Sequence, residues 1–296
     1  MVKLITGGSG LVGSEFKDGY KVSSKDYNLL DEKLVNEMFT LYSPDYVIHT
    51  AAKVGGVKAN MDHLAEFFRK NIMINNNVIH YAYKHGVKKM ICFLSTCIFP
   101  DNVIYPLTED KIHLGAPHDS NYGYAYAKRM IDVQLRAYNE QYGTKYLSVI
   151  PTNIYGKNDN YDLESSHVIP AIINKCYQAI QNNTDLEIWG SGKPLREFIY
   201  AEDVANICDI LLEKYEDTKP LIISTSQEIS IGDVTKIICE IMGFKGNIVF
   251  NTSKPDGQFR KPTDNSNLLK VIGDYQFTPL EVGLKKTIDH FLEKQK

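Results

Sequence analysis

The run Thr6-Gly7-Gly8-Ser9-Gly10-Leu11-Val12-Gly13 constrains the fold more than any other segment of the chain. Its glycines at 7, 10 and 13 come directly after the apolar segment 2–6. A backbone without Cβ atoms can turn sharply and approach a pyrophosphate, whose charge then meets the N–H groups that open the following helix. The pattern is informative only within a strand–loop–helix alternation. The sequence supplies one: segments 2–6, 20–23, 46–49, 90–94 and 146–150 read as strands, several apolar on successive residues, as in parallel sheets covered on both faces. Segments 31–41, 64–84 and 124–142 read as helices, the last with Ile131, Leu135, Tyr138 and Tyr142 three or four apart. Gly86 and Gly143 stand where helix C-caps belong. Together these features predict an α/β fold, a Rossmann-type doubly wound parallel sheet.

Only 13 residues separate Thr6 from Tyr20. A crossover between parallel strands takes at least about 10–12. The first helix is therefore expected to span two turns or so and to end before Gly19. After Pro151 the rhythm changes: a polar stretch over 153–166, a helix over 168–181, short strands at 186–189 and 248–250, loops at 190–194 and 253–257, and helices at 231–242 and 280–292. The expected organisation is a cofactor domain, residues 1–160 with 197–225 returning to it, and a smaller α/β substrate domain made of 161–196 and 226–296.

Composition excludes several classes. With 33 Lys+Arg against 36 Asp+Glu, the net charge of −3 gives no global reason to expect nucleic acid or an acidic membrane as partner. No apolar run reaches the roughly 18 residues of a membrane span, and the N-terminus runs straight into a strand-like segment rather than a signal peptide. The cysteines Cys92, Cys97, Cys176, Cys208 and Cys239 are odd in number and form no CxxC, which fits reduced thiols in the cytoplasm. His80/His85 and His113/His118 are each five apart, a spacing that suits no metal site on one helical face.

The adenosine ribose should meet the tip of the second strand, Val22-Ser23-Ser24-Lys25-Asp26. A hydroxyl beside a cation, Ser24 with Lys25, favours the 2′-phosphate of NADP, so residues 1–160 are expected to bind NADP(H); Asp26 leaves NAD open. The fourth strand runs into Ser95-Thr96-Cys97, and the carboxyl end of a parallel strand is where such sheets bind ligands. Tyr124 and Lys128 are i and i+4 and share a helix face. A cation there is expected to lower the phenol pKa, and Ser95 can hydrogen-bond the same carbonyl oxygen, giving proton chemistry beside a hydride donor. A 4,6-dehydratase needs a carboxylate next to the serine, and Thr96-Cys97 supply none; a 4-epimerase and a non-catalytic dinucleotide-binding module are the other readings.

These motifs, with His49-Thr50-Ala51-Ala52 after the third strand and Pro151-Thr152-Asn153 after the fifth, resemble the extended short-chain dehydrogenase/reductase family. The resemblance runs over nearly the whole chain. Leu94-Ser95-Thr96-Cys97-Ile98-Phe99-Pro100, Ser166-His167-Val168-Ile169-Pro170, Trp189-Gly190-Ser191-Gly192 with Arg196-Glu197-Phe198, and Lys254-Pro255-Asp256-Gly257 are similar to the branch that epimerises and reduces GDP-keto sugars. It implies a 3,5-epimerase and 4-reductase using NADPH on a GDP-sugar, and a homodimer through the two long helices. It implies Cys97 and His167 as the two proton-transfer groups, taken as base and acid with the direction open, beside Ser95, Tyr124 and Lys128. It implies a cofactor set of Gly7, Gly10, Leu11, Val12, Gly13, Ser24, Lys25, Ala51, Ala52, Lys128, Pro151, Asn153, Ile154 and His167. On the substrate side, Lys175 lies two turns beyond His167, within reach of a diphosphate; Trp189, Arg196 and Lys261 complete that set, with Arg260 a further cation. His49 is expected to pack or to line the cofactor cleft.

Overall fold

Six parallel strands form the central sheet, and the order in which the chain lays them down places its loops along one edge. In the computed structural model the described residues are 1–254 and 256–296, apart from the Val57 side chain; Pro255, in the expected loop 253–257, lies outside them. The chain begins β1 (Lys3–Thr6), β2 (Tyr20–Val22), α1 (Glu32–Tyr42), β3 (Tyr46–His49), α2 (Val57–Asp62), α3 (Leu64–Lys84), β4 (Lys89–Phe93), α4 (Tyr122–Tyr142) and β5 (Lys145–Pro151). It continues β6 (Asn153–Tyr155), α5 (Val168–Asn182), β7 (Leu186–Trp189), β8 (Leu195–Tyr200), α6 (Ala201–Lys214) and β9 (Leu221–Ile223). It ends β10 (Glu228–Ser230), α7 (Ile231–Met242), β11 (Ile248–Asn251), α8 (Ser266–Ile272) and α9 (Leu280–Glu293). The sheet order is β2-β1-β3-β4-β5-β9.

Helices cover both faces. On one, Val35, Met38 and Phe39 of α1, Val78 and Ile79 of α3, and Ile131 and Leu135 of α4 pack on the apolar strand residues. On the other, Val204, Ile207 and Leu211 of α6 and Leu268 and Ile272 of α8 do the same. Each such side chain contributes about 1.5–3 kcal/mol when removed from water. A third apolar cluster joins α5, β7, α7 and α9 around Ile173, Ile188, Ile238 and Leu284. Two small sheets, β10-β8-β6 and the parallel pair β11-β7, carry the later loops.

The expected first helix does not form. Residues Gly13–Glu15 make a single 3-10 turn without a side-chain cap. Nucleating an α-helix fixes three residues for one hydrogen bond, and this crossover offers too few residues to recover that cost. Phe16 takes over the covering role instead: it is buried in the second core cluster, with the Lys3 ammonium 5.4 Å from its ring. Lys3 in turn binds Asp18 at 2.7 Å and Asp209 at 2.8 Å, which fastens the turn to β1 and α6. Elsewhere α4 starts at Tyr122, β6 interrupts the expected polar stretch 153–166, and α2, β8, α6, β9, β10 and α8 form where no element is expected from the sequence. Among the described residues no helix is long and apolar enough to cross a membrane.

Candidate active site

The glycine loop is shaped by close backbone approach. Gly7 adopts φ +73°, and a Cβ there would lie 2.8 Å from the Ala51 nitrogen; a Cβ on Gly13 would lie 2.3 Å from the Gly7 oxygen. The Gly10 N–H donates to that same oxygen at 2.9 Å, and Thr50 Oγ1 donates to Thr6 O at 2.7 Å. The first loop therefore packs backbone to backbone against the Ala51–Ala52 segment after β3. Leu11 and Val12 pack their side chains against the second core cluster. The cradle suits a pyrophosphate, although its N–H groups belong to a 3-10 turn rather than to the α-helix N-terminus expected from the sequence.

At the β2 tip, Asp26 Oδ2 accepts from both the N–H and the Oγ of Ser23, each at 2.8 Å. These bonds hold its carboxyl below the usual range and tie it into the turn. Ser24 and Lys25 remain exposed beside it. That arrangement fits a phosphorylated ribose better than a free diol.

Ser95, Cys97, Tyr124 and Lys128 come together between β4 and α4. Ser95 Oγ accepts from the Cys97 N–H at 3.5 Å and caps the 3-10 turn Thr96–Ile98. Cys97 is only partly buried, whereas the other four cysteines are buried. Lys128 Nζ lies 6.0 Å from the Tyr124 ring and donates to Phe93 O at 2.8 Å. Burial pulls Lys128 down to about 8. The Tyr124 phenol departs from the sequence expectation. Burial, and secondarily the charge of Cys97, push its pKa well up rather than down, because loss of water outweighs an ammonium already engaged with a carbonyl. Tyr124 is thus proton-loaded at neutral pH. Burial also pushes the Cys97 thiol up, opposed by Ser95 and by the nearby Lys261.

His167 occupies the N-cap position of α5 without making a capping bond, so its imidazole is uncommitted. The residue is exposed, and desolvation by the protein around its ring lowers its pKa. Its loop is tied to the segment after β3 by Gly56 N–H donating to Ser165 O at 2.9 Å. Among the described residues no hydrogen bond joins His167 to Ser95, Cys97 or Tyr124. His49 is a buried post: its ring meets Thr6 Oγ1 at 2.7 Å and Asn75 Oδ1 at 3.1 Å, and burial holds it down at about 3. Pro151 ends β5, Asn153 Nδ2 donates to Glu197 O at 2.8 Å, and Ile154 packs on the second core cluster.

The substrate-side residues divide into two places. A cleft of about 470 Å³ is lined by Lys58, Lys175, Glu187 and Trp189 among others. Lys175 Nζ lies 4.8 Å from the half-exposed Trp189 ring and donates to Glu187 O at 3.2 Å; Lys254 lies 5.3 Å from the same ring. Arg196 and Lys261 stand on the Cys97 side instead. Arg196 donates to Leu195 O at 2.7 Å, and Lys261 lines a cavity of about 10 Å³ together with Cys97. Arg260 is neutralised at the surface by Glu228, its Nε donating at 2.7 and 2.9 Å. Two supporting residues were not singled out from the sequence. Asp256 accepts from Ser191 N–H at 2.6 Å and Ser191 Oγ at 2.8 Å, joining the two loops beside Trp189. Glu197, buried, accepts from Thr263 and Ser224. Both lie within motifs quoted above, but nothing local shows which loop an acidic residue will reach.

Over residues 3–224 the sequence matches the family described as NAD dependent epimerase/dehydratase. The chain belongs to this epimerase/dehydratase family. Among relatives within it, the chain is similar to a GDP-L-fucose synthase of Dictyostelium discoideum, 48% identical over 98% of this chain and 95% of that protein. It is 36% identical to a GDP-L-fucose synthase of Escherichia coli, over 98% of this chain and 96% of the other. A GDP-L-fucose synthetase of Naegleria fowleri solved with NADP superposes with a TM-score of 0.95 at 43% identity, covering 99% of this chain and 93% of that one. In that company the six-stranded parallel sheet is the epimerase/dehydratase scaffold, and its strand-end cluster is where the family's chemistry is sought.

Proposed function

We infer that the protein carries GDP-L-fucose synthase activity: with NADPH it converts GDP-4-keto-6-deoxy-D-mannose to GDP-L-fucose. The observation that carries this reading is a thiol, Cys97, built into a serine–tyrosine–lysine cluster, in a chain similar over nearly its full length to proteins of that name. The C4 ketone of such a substrate acidifies the protons on C3 and C5, and inverting each centre requires a proton to leave one face and another to arrive on the opposite face. A thiol and an imidazole, with ordinary pKa values near 8.5 and 6.5, serve both steps.

In the reaction proposed, Cys97 removes the proton and His167 returns one. Ser95 donates a hydrogen bond to the oxygen that becomes the enolate. Bound NADPH supplies the hydride that C4 receives. Tyr124 gives its proton to the C4 oxygen; a phenol kept protonated by burial is suited to this direction, since the alkoxide formed is the stronger base. Lys128, donating to Phe93 O, fixes the helix face that presents Tyr124.

The glycine loop with Ala51, Ala52, Ser24 and Lys25 holds the dinucleotide, as part of residues 1–160 and 197–225. Residues 161–196 and 226–296 hold the GDP-sugar, with Lys175 and the Trp189 ring toward its diphosphate and Arg196 and Lys261 on the sugar side. The protein works as a cytoplasmic homodimer: Phe68 of α3 and Met130 and Val133 of α4 are exposed apolar side chains on the packed helix pair, which a second copy would cover.

The test is to supply NADPH and the keto sugar in D2O. The expected result is loss of absorbance at 340 nm matched by GDP-L-fucose carrying deuterium at C3 and C5. A folded protein that binds NADPH and leaves it unoxidised overturns the reading.

A further inference from the structure

Cys97 faces more charge than the sequence suggests. From α4 come Tyr124, Lys128 and Arg129; Asp101 and His118 share its small cavity, and so does Lys261, more than 160 residues away in the chain. Two of the three cations are held by backbone carbonyls. Lys128 donates to Phe93 O, and Arg129 donates to Ile98 O and Gly115 O. The Lys261 ammonium has no hydrogen bond or ion pair among the described residues, and the cavity between it and Cys97, about 10 Å³, is the size of one water.

Its segment is held rigidly on both sides. Leu195 N–H donates to Phe259 O at 2.9 Å, and Leu107 N–H donates to Pro262 O at 2.8 Å. Thr263 donates through its N–H at 2.9 Å and its Oγ1 at 2.6 Å to the two oxygens of buried Glu197. A flexible surface lysine needs no such anchorage. The neighbouring Arg260, paired with Glu228, shows what a solvated cation of this loop looks like.

We propose that Lys261 is a positioning residue for the thiol: its ammonium faces the Cys97 thiolate across the one-water cavity and so serves proton exchange at the sugar rather than the diphosphate. This rests on the reading of Cys97 as a proton-transfer group. When the Cys97 proton leaves, the negative charge on Sγ meets an ammonium that gives its charge to no carbonyl; when Sγ takes a proton from the sugar carbon, the pair returns to thiol and ammonium. Arg196 adds positive charge beside Lys261, which biases the site further toward an anion.

The experiment needs no substrate. Iodoacetamide alkylation of Cys97 is followed by peptide mass spectrometry across pH, with the four buried cysteines as internal controls. In Lys261→Met the midpoint should move up by about one pH unit, roughly a tenfold slower alkylation at pH 7, while Lys261→Arg keeps it within about threefold. NADPH affinity is measured in each variant to show that the fold is retained. An unchanged profile in Lys261→Met overturns the proposal, as does an arginine variant as slow as the methionine one, since packing rather than charge would then be at work. Deuterium incorporation at C3 and C5 is read separately. Incorporation that stays at the parent rate in Lys261→Met, despite shifted alkylation, counts against Cys97 in proton transfer and removes Lys261 from the epimerisation.

Discussion

Replacing Gly13 with alanine separates cofactor grip from folding. The added Cβ would sit 2.3 Å from Gly7 O, 2.8 Å from Gly7 C and 2.9 Å from Gly8 Cα. Carbon and oxygen in ordinary contact need about 1 Å more than the shortest of these. All three atoms are backbone, so the loop itself must move, and it does so against the Gly10 N–H to Gly7 O bond of 2.9 Å. Overpacking of this kind costs about 1–3 kcal/mol. Displacing the N–H groups from a pyrophosphate also weakens charge-assisted hydrogen bonds, each contributing about 1.5–3 kcal/mol. One lost bond is therefore expected to raise the NADPH dissociation constant roughly 10- to 150-fold.

Gly143→Ala is the matched control. It sits at φ +66° with nothing within 4 Å of its Cβ, so it should lower stability by about 1–2 kcal/mol and leave NADPH binding unchanged. Fluorescence titration of NADPH with urea unfolding of the same samples reads both quantities. If Gly13→Ala binds NADPH within twofold of the parent while remaining folded, the pyrophosphate does not lie on this loop.

Three further outcomes are expected. Lys25→Glu should weaken NADPH about 10- to 100-fold and NADH less than threefold, as one charge contact to a 2′-phosphate is lost; equal weakening of both would place the phosphate elsewhere. His49 is held at about 3 in the fold and returns to about 6.5 when unfolded, so the unfolded chain binds more protons between those values and stability falls as pH drops through that window. The slope is at most about 1.4 kcal/mol per pH unit. His49→Gln should be flatter in urea unfolding between pH 6.5 and 5, and identical slopes would refute this. Glu197→Gln removes the charge that two Thr263 donors and Ser224 share, and should lower stability by about 1–3 kcal/mol. It should also loosen the segment around Lys261, seen as faster amide exchange at Lys261 and Thr263, and unchanged exchange would show that this network is not what anchors the segment.

The alternation of strands and helices could be read directly because buried parallel strands are apolar on successive residues, as in Met90–Phe93, while α4 repeats Ile131, Leu135, Tyr138 and Tyr142 every three or four. Tyr124 and Lys128 were legible for the same reason: i and i+4 on a helix share a face wherever the helix goes. Local pattern failed where covering the sheet depended on distant partners. The turn after the glycine loop needs no helix, because Phe16 is received by the second core cluster and Lys3 is tied to Asp209, 206 residues away in sequence.

The same division runs through the site. Chemistry written into consecutive residues, the glycine loop and the Ser95–Cys97 segment, was recognisable along the chain because backbone geometry joins near neighbours. Adjacent Arg260 and Lys261 look alike as text; the fold turns one to Glu228 at the surface and the other toward Cys97. The direction of the Tyr124 shift was equally hidden, since burial depends on how α3, α4 and β4 close over the phenol. Charge and solvent exclusion act through space, and space between residues far apart in sequence is set only when the chain has packed.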